Sequence, residues 1–433
     1  MGGRFSTNIS YFKFIHKDFF HHKRTLLENF LSLSFLQIAN YVFPLITLPY
    51  IVRVLGPEKY GLIAFAQAFI GYFLILTDYG FNLSAPREIS INRDDKRKLS
   101  EIFSSIMITK LFLFVISFLI MSAIIFLFNK FRNDWILYYL TFGMVLGHIM
   151  FPTWFFQGVE NMKFITILNL IAKLIFTISI FVFVKKQADY YLVPLLNSLG
   201  FITAGIISLY IVFKNFKINF IIPTKQQVIH QLKEGWHIFV STIAISLYTT
   251  SNTFILGLFT NNTIVGYYSA AEKLIKVFQS LLTPISQTVY PHISKIAKES
   301  KEMAVMFIKK LAMLVGLLTL VISSTIFVFA DSIVKIILGD QYFESIKVLR
   351  IFALLPFVIG LSNVFGIQTM LPLNYKNAFS NILISASLIN ICMALILTPL
   401  YKHIGMSISV LFTETFVTLS MFIYLHKKGI KIV

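Results

Sequence analysis

The sequence predicts an all-α, polytopic membrane protein with about 12 transmembrane helices in two six-helix lobes. Of its 433 residues, 57% are hydrophobic and only 13% are charged, whereas soluble domains are nearer half apolar and a quarter charged. Apolar segments long enough to cross a hydrocarbon core of roughly 30 Å recur along the whole chain. The sequence lacks the ten-residue segments of alternating hydrophobicity that mark a membrane barrel, so the predicted spans are helices.

Polar connections divide the chain into four parts. Residues 1–30 form a basic cytoplasmic arm, 31–213 a first lobe, 214–236 a cytoplasmic connection, and 237–433 a second lobe with a short basic tail. The arm either lies on the inner leaflet or is a loosely ordered topogenic tail. Within the lobes, spans are predicted at about 31–52, 61–82, 102–128, 135–156, 164–184, 191–213, 237–259, 266–292, 311–330, 351–372, 379–400 and 405–425.

The distribution of basic residues predicts that both termini are cytoplasmic. The connections on the side of the termini hold 24 of the 38 Lys and Arg residues, and those on the opposite side hold 10. Six spans per lobe is an even number, so any repeat is parallel, about an axis along the membrane normal. Residues 61–67 (GLIAFAQ) and 266–272 (GYYSAAE) open corresponding spans and are a weak trace of such a repeat. Two parallel bundles imply a path between them.

Composition and missing motifs exclude several classes of protein. A net charge of +19 would suggest nucleic acid in a soluble protein, but here it reflects basic cytoplasmic loops, and no nucleic-acid partner is predicted. The single cysteine, Cys392, permits neither an intrachain disulfide nor a cysteine metal cluster. The chain has no Walker A or HExxH motif and no connection longer than about 25 residues, so we predict no enzyme, cofactor or metal.

Ionisable residues inside the spans are the candidates for function, because each costs roughly 2.5–3.5 kcal/mol on insertion. Lys173 lies on the order of 13 Å into its span, near the midplane and too deep to snorkel easily. Lys110 is shallower and either faces a cavity or snorkels to the interface. Glu272 and Lys276 form either a structural ion pair or, with Lys273, a cationic cavity patch with a titratable carboxylate.

Three further features lie in or beside spans. Glu414 is nearly mid-span and serves either in proton or sodium coupling or as a protonated, hydrogen-bonded side chain. Arg53 lies near the outer end of the first span. Asp78 lies near the cytoplasmic end of the second span and is predicted to pair with Arg87. The run from Trp154 to Phe156 is predicted to be an interfacial aromatic belt.

Several blocks of sequence resemble one transporter family. The stretch YIVRVLGPEKYGLIAFAQAF (50–69), followed by DYGFNLSAPREIS (78–90), is similar to the opening of the polysaccharide transporter, or O-antigen flippase, family. This family belongs to the multidrug/oligosaccharidyl-lipid/polysaccharide exporter superfamily. PTWFFQGVENMK (152–163), GYYSAAEKL (266–274) and VYPHISKIAKE (289–299) look like later blocks of the same family. The resemblance runs over essentially the whole chain.

The resemblance implies a flippase with two lobes around a cationic central cavity. Its substrate would be an undecaprenyl-pyrophosphate-linked oligosaccharide, an O-antigen or capsule repeat unit, moved to the outer leaflet of the bacterial inner membrane by ion-coupled alternating access. Membrane lipids and glycan polymerase machinery would be its partners. From depth and charge we then expect the anion to be contacted by Arg53, Lys173, Lys273 and Lys276. We expect coupling to H+ or Na+ through Glu272 or Glu414. We expect gate or structural charges at Asp78, Arg87 and Lys110.

Two alternatives remain at this point. A drug or cation antiporter of the same superfamily should line its cavity with acids, whereas four lysines and only two clearly buried acids lie within the spans. A membrane glycan polymerase usually displays a sizeable loop outside the membrane, and no connection here is large enough to fold separately.

Overall fold

The computed structural model describes residues 6–280, 282–430 and 432, and every regular element in these ranges is a helix. Of the predicted arm, residues 1–5, including Arg4, lie outside the described residues, and the remainder continues into the first helix. The α-helices are α1 (Ser6–Asp78), α2 (Phe81–Ile91), α3 (Lys96–Leu127), α4 (Asn129–Arg132), α5 (Trp135–Met150), α6 (Thr153–Gly158), α7 (Met162–Phe183), α8 (Leu192–Lys214), α9 (Lys225–Thr249), α10 (Ser251–Phe259), α11 (Asn262–Ser280), α12 (Thr283–Glu299), α13 (Lys301–Val328), α14 (Ala330–Ile337), α15 (Ser345–Phe352), α16 (Leu355–Phe365) and α17 (Lys376–Lys427). Two 3₁₀ turns (Gln187–Tyr191, Asp340–Tyr342) and one π-helical turn (Gly366–Met370) complete the described structure.

Eight helical stretches within the described residues are long and apolar enough to cross a membrane. They are Phe35–Ile91, Lys96–Leu127, Trp135–Gly158, Met162–Phe183, Gln187–Lys214, Lys301–Val328, Ser345–Met370 and Lys376–Lys427. The first and last each contain a sharp backbone break, at Gly56 (φ 69°) and at Lys402 (φ 53°), and therefore each hold two predicted spans. Predicted spans seven and eight correspond to the shorter helices α9 to α12. The all-α, polytopic class is confirmed, and the exact number of twelve stays a prediction.

The reversal between the first two predicted spans depends on Gly56. Its φ of 69° and ψ of 172° are strained for residues with a side chain, so glycine is the natural occupant. Pro57 follows directly, and its fixed φ suits the first turn of a new helix. The turn at residues 56–59 (GPEK) therefore folds α1 into two segments that meet at one end of the molecule.

The connections that the sequence places on the outer side gather at one end of the structure, which we call the closed end. The Lys59 ammonium lies 5.0 Å from the centroid of the Tyr190 ring. The Tyr60 and Tyr342 rings are 6.5 Å apart, so both halves of the chain meet here. The closed end comprises residues 53–60, 128–134, 185–191, 257–266, 336–345 and 402–403. This clustering fits the predicted alternation of spans; the membrane side that it faces stays a prediction.

The opposite end, which we call the basic end, contains residues 79–101, 157–163 and 214–236. The inter-lobe connection runs along α3, where the backbone amides of Asn219 and Ile221 donate to the hydroxyls of Ser100 and Ser104 at 3.1 and 2.9 Å. These bonds tie the polar connection to the first half of the chain, so it does not form a separate domain.

The aromatic run in α6 corrects one expectation. Trp154, Phe155 and Phe156 are all 0% exposed. Phe103 lies 5.6 Å from Trp154, and Phe216 lies 5.3 Å from Phe155, as ring-centroid distances. The prediction of an interfacial belt is wrong because the short α6 packs against α2 inside the bundle. Such rings stabilise the interior through buried area and edge-to-face contacts rather than through the membrane interface.

Candidate functional site

A cavity of about 300 Å³ lies between α1, α5, α7, α8 and α11, in the interior below the closed end. Its walls are largely apolar, with Phe43, Phe176 and Phe201 among them. Its polar lining includes two lysines, Lys173 from the first half of the chain and Lys273 from the second. An apolar cavity with a few placed polar groups is the usual form of a ligand site.

Lys173 reaches the cavity from the middle of α7. Its ammonium donates a hydrogen bond to the side-chain oxygen of Asn40 on α1. A neutral amide satisfies one donor but cancels no charge. The positive charge of Lys173 is therefore held in place and remains available to an anion in the cavity.

Lys273 reaches the same cavity from α11. Its ammonium lies 5.8 Å from the centroid of the Tyr60 ring, within the range of a cation–π contact. The adjacent carboxylate of Glu272 pairs instead with Lys276 at 3.0 Å. Lys273 is therefore oriented by an aromatic face and not by a direct ion pair.

The chemical character of this cavity is cationic. Among the described residues its lining includes Lys173 and Lys273 but no Asp or Glu; the other polar groups there are Thr47, Tyr60, Gln67 and Asn197. Apolar walls reduce screening, so the two charges act on a ligand more strongly than they would in water. A single anion held between them would contact both halves of the chain at once.

Arg53 and Lys276, which we expected to contact the same anion, lie elsewhere. The Arg53 guanidinium sits at the closed end and donates to the backbone carbonyl of Ile336. Lys276 is 55% exposed and pairs with Glu272, which is 18% exposed. Neither cation lines the cavity. The structure thus brings together two of the four expected cations.

The two acids expected to couple transport to an ion also lie outside the cavity lining. Glu272 is held in its pair with Lys276. Glu414 is half-buried in α17, where its backbone carbonyl accepts from the Thr418 hydroxyl at 2.9 Å. Their coupling role stays a prediction.

A second cavity, of about 420 Å³, adjoins the basic end and contains Asp78 and Lys110. The Lys110 ammonium lies 3.0 Å from one Asp78 oxygen, and the Asn82 amide donates to the other at 2.6 Å. The predicted Asp78–Arg87 pair is therefore wrong. Gly80, with φ 81°, begins α2 in a new direction, and Arg87 is exposed. Lys110 is only 3% exposed, so an unpaired charge would cost far more there than at Arg87.

Lys130 is a functional candidate that the sequence alone did not single out. Its ammonium donates to the carbonyls of Gly257, Leu258 and Thr260, the last two at 3.0 Å. These carbonyls form the C-terminus of α10, the negative end of the helix dipole. Burial lowers the pKa of Lys130 from its ordinary value. Nothing local in the sequence links residue 130 with residue 257, so only the fold reveals this contact.

The chain matches a protein-family model and is similar to curated proteins over most of its length. The family model described as "Polysaccharide biosynthesis protein" matches residues 26–297. A curated protein of Escherichia coli (strain K12), named "Putative O-antigen transporter", is 36% identical over 93% of this chain and 97% of its own length. A protein of the same name from Shigella dysenteriae is 32% identical over 91% of this chain and 98% of its own.

Two solved structures share the fold. An inward-facing multidrug resistance MATE family transporter of the MOP superfamily has a TM-score of 0.67 at 13% identity, covering 89% of this chain and 94% of the other. The lipid II flippase MurJ, in an inward closed conformation, has a TM-score of 0.65 at 14% identity, covering 92% and 87%. At such identities the likeness concerns the fold alone.

Proposed function

Because this chain belongs to the polysaccharide biosynthesis protein family and has the fold of MOP superfamily transporters, we propose that it is a lipid-linked oligosaccharide flippase. Its substrate is an undecaprenyl-pyrophosphate-linked O-antigen or capsule repeat unit. The protein carries the head group from the inner to the outer leaflet of the bacterial inner membrane, while the polyprenyl tail remains in lipid.

The observation that carries this proposal is the meeting of Lys173 and Lys273 in one cavity. A diphosphate presents several anionic oxygens, and an ammonium binds such oxygens as a mobile point charge with three donors. Two ammonium groups, one from each half of the chain, hold the diphosphate in the apolar interior, where its burial would otherwise be costly. The amides of Gln67 and Asn197 are available to the hydroxyls of the attached sugar.

Transport proceeds by alternating access in this proposal. Contacts between the two halves of the chain at the closed end support a starting state in which the head group enters from the basic end. An anion between Lys173 and Lys273 links the two halves of the chain, so its binding can bias their relative position. Coupling to H+ or Na+ through Glu272 or Glu414 would give the cycle a direction. A glycan polymerase would receive the product on the far side.

The cavity argues against a drug or cation antiporter. An organic cation would meet two ammonium groups and no carboxylate among the lining residues. Like charges in an apolar cavity repel strongly and disfavour such a ligand. The sign of the cavity charge therefore favours an anionic substrate.

Deletion of the gene in its native host tests the proposed function. We expect lipid-linked repeat units to accumulate on the inner leaflet and surface glycan to disappear, because the head group then lacks its proposed route across the bilayer. Surface glycan would be measured with a glycan-specific antibody, and the linked lipid by extraction and mass spectrometry. Complementation with the intact gene is the control. Unchanged surface glycan in the deletion strain would contradict the proposal.

A further inference from the structure

Two glycines bring the backbones of α1 and α11 into direct contact at the closed end. A Cβ added to Gly61 would lie 1.8 Å from the carbonyl oxygen of Asn262, and one added to Gly266 would lie 1.9 Å from that of Pro57. The contact is reciprocal, since each glycine meets the carbonyl four residues before the other glycine. Close approach of this kind is possible only with small residues at the crossing.

This crossing joins the two halves of the chain symmetrically. Gly61 and Gly266 open the two segments that the sequence identified as a weak repeat. Their mutual contact is the arrangement expected if an approximate two-fold axis along the membrane normal passes between them. The two repeats therefore touch directly at the closed end.

Two cations reinforce the same end. Lys130, from the first half of the chain, caps the C-terminus of α10 in the second half. Arg53, also from the first half, donates to Ile336 near the C-terminus of α14. Both bind exposed carbonyls at negative helix ends, where a cation is stabilising. Among the described residues neither pairs with a carboxylate, so both contacts can be broken without leaving an unpaired buried acid.

We propose that the Gly61–Gly266 crossing, together with its capping residues Arg53 and Lys130, is the gate that must part to open the closed end during transport. The inference rests on the alternating access of the proposed function. Glycine is required at both positions only while this end is shut, because a methyl group would overlap a backbone oxygen there. Alanine at either position therefore destabilises the closed gate.

Thiol labelling measures which end of the cavity is open. A cysteine replaces cavity-lining Asn197 in a background in which the exposed Cys392 is changed to serine. A membrane-impermeant maleimide is added separately to sealed vesicles that expose the closed end and to sealed vesicles that expose the basic end. The ratio of the labelling rates in the two preparations is recorded. With the native gate, we expect labelling mainly from the basic-end side.

Gly61→Ala and Gly266→Ala are each expected to shift this ratio toward the closed-end side by about tenfold. A modest change in the free-energy difference between the two states is enough for such a shift. Gly71→Ala is the matched control: Gly71 lies on the same helix as Gly61, and a Cβ added there would meet no neighbouring atom within 4 Å. An unchanged ratio in folded Gly61→Ala protein, or an equal shift in Gly71→Ala, would overturn the proposal.

Lys130→Gln provides a second measurement that adds no volume. Removing the ammonium that donates to three carbonyls should shift the labelling ratio in the same direction by about threefold to tenfold. If neither glycine variant folds, this variant decides: a shift supports the gate and no shift overturns it. Labelling needs no glycan, so a shift in a strain that makes no lipid-linked glycan would support the gate even if the proposed substrate were wrong.

Discussion

Replacing Lys173 and Lys273 together with alanine is expected to abolish glycan export while leaving the protein folded in the membrane. Both lysines line the cavity, and neither forms a salt bridge among the described residues, so their removal leaves no buried acid without its partner. A hydrogen bond to a charged group contributes roughly 1.5–3 kcal/mol. Each single variant should therefore lose about tenfold to a hundredfold in export at limiting substrate, and the double variant should lose nearly all.

A conservative variant and a control variant show whether the cavity lysines act through their charge or only support the structure. Lys173→Arg keeps a cation at the same depth and should retain part of the export that Lys173→Ala loses. Lys276→Ala removes a lysine from the same helix as Lys273, but Lys276 faces Glu272 and not the cavity, so export should fall little. Export is measured as surface glycan per amount of protein in the membrane. Equal export by Lys173→Ala and Lys173→Arg would assign Lys173 a structural role.

Removing the carboxylate of Asp78 is expected to destabilise the protein more than removing its partner Lys110. The Lys110 side chain is 3% exposed, whereas Asp78 is 38% exposed and also accepts from Asn82. Asp78→Ala leaves a buried ammonium unpaired, which costs about 3–5 kcal/mol. Lys110→Met leaves a carboxylate that water and Asn82 still solvate, so its cost should be clearly smaller.

A double variant distinguishes the ion pair from simple loss of packing. Asp78→Asn with Lys110→Met replaces the pair by neutral groups of similar size and should recover most of the stability that Asp78→Ala loses. Thermal unfolding in detergent gives the order of stabilities. A larger loss for Lys110→Met than for Asp78→Ala would contradict the asymmetry derived from exposure.

The local sequence was sufficient to identify the two cavity lysines as candidates, but not to predict that both line the same cavity. Lys173 stood out because a cation near mid-span is too costly to keep without a function, and Lys273 because it interrupts an apolar segment. That both line one cavity depends on how α7 and α11 pack, and no local rule contains that information. Gln67 and Asn197, single amides in apolar spans, could have been identified on the same principle.

Two departures of the structure from the sequence-based expectations, at Arg53 and at Asp78, have a common physical origin. Arg53 lies at the end of a span, where a cation either meets a ligand or caps a distant helix, and its acceptor at Ile336 is remote in sequence. Asp78 was assigned its near neighbour Arg87, but the positive φ of Gly80 turns α2 away and leaves Lys110, from α3, as the partner. In both cases the fold selects a partner that proximity along the chain does not reveal.

The most direct test of the central claim is a flipping measurement with purified protein in liposomes that contain undecaprenyl-pyrophosphate-linked oligosaccharide. A membrane-impermeant glycosidase added outside digests only head groups in the outer leaflet. With the wild-type protein, we predict that the inner-leaflet pool also becomes accessible, and that the Lys173→Ala, Lys273→Ala double variant leaves it protected as in protein-free liposomes. An inner-leaflet pool that stays protected with the wild-type protein, both without and with imposed H+ or Na+ gradients, would contradict the account.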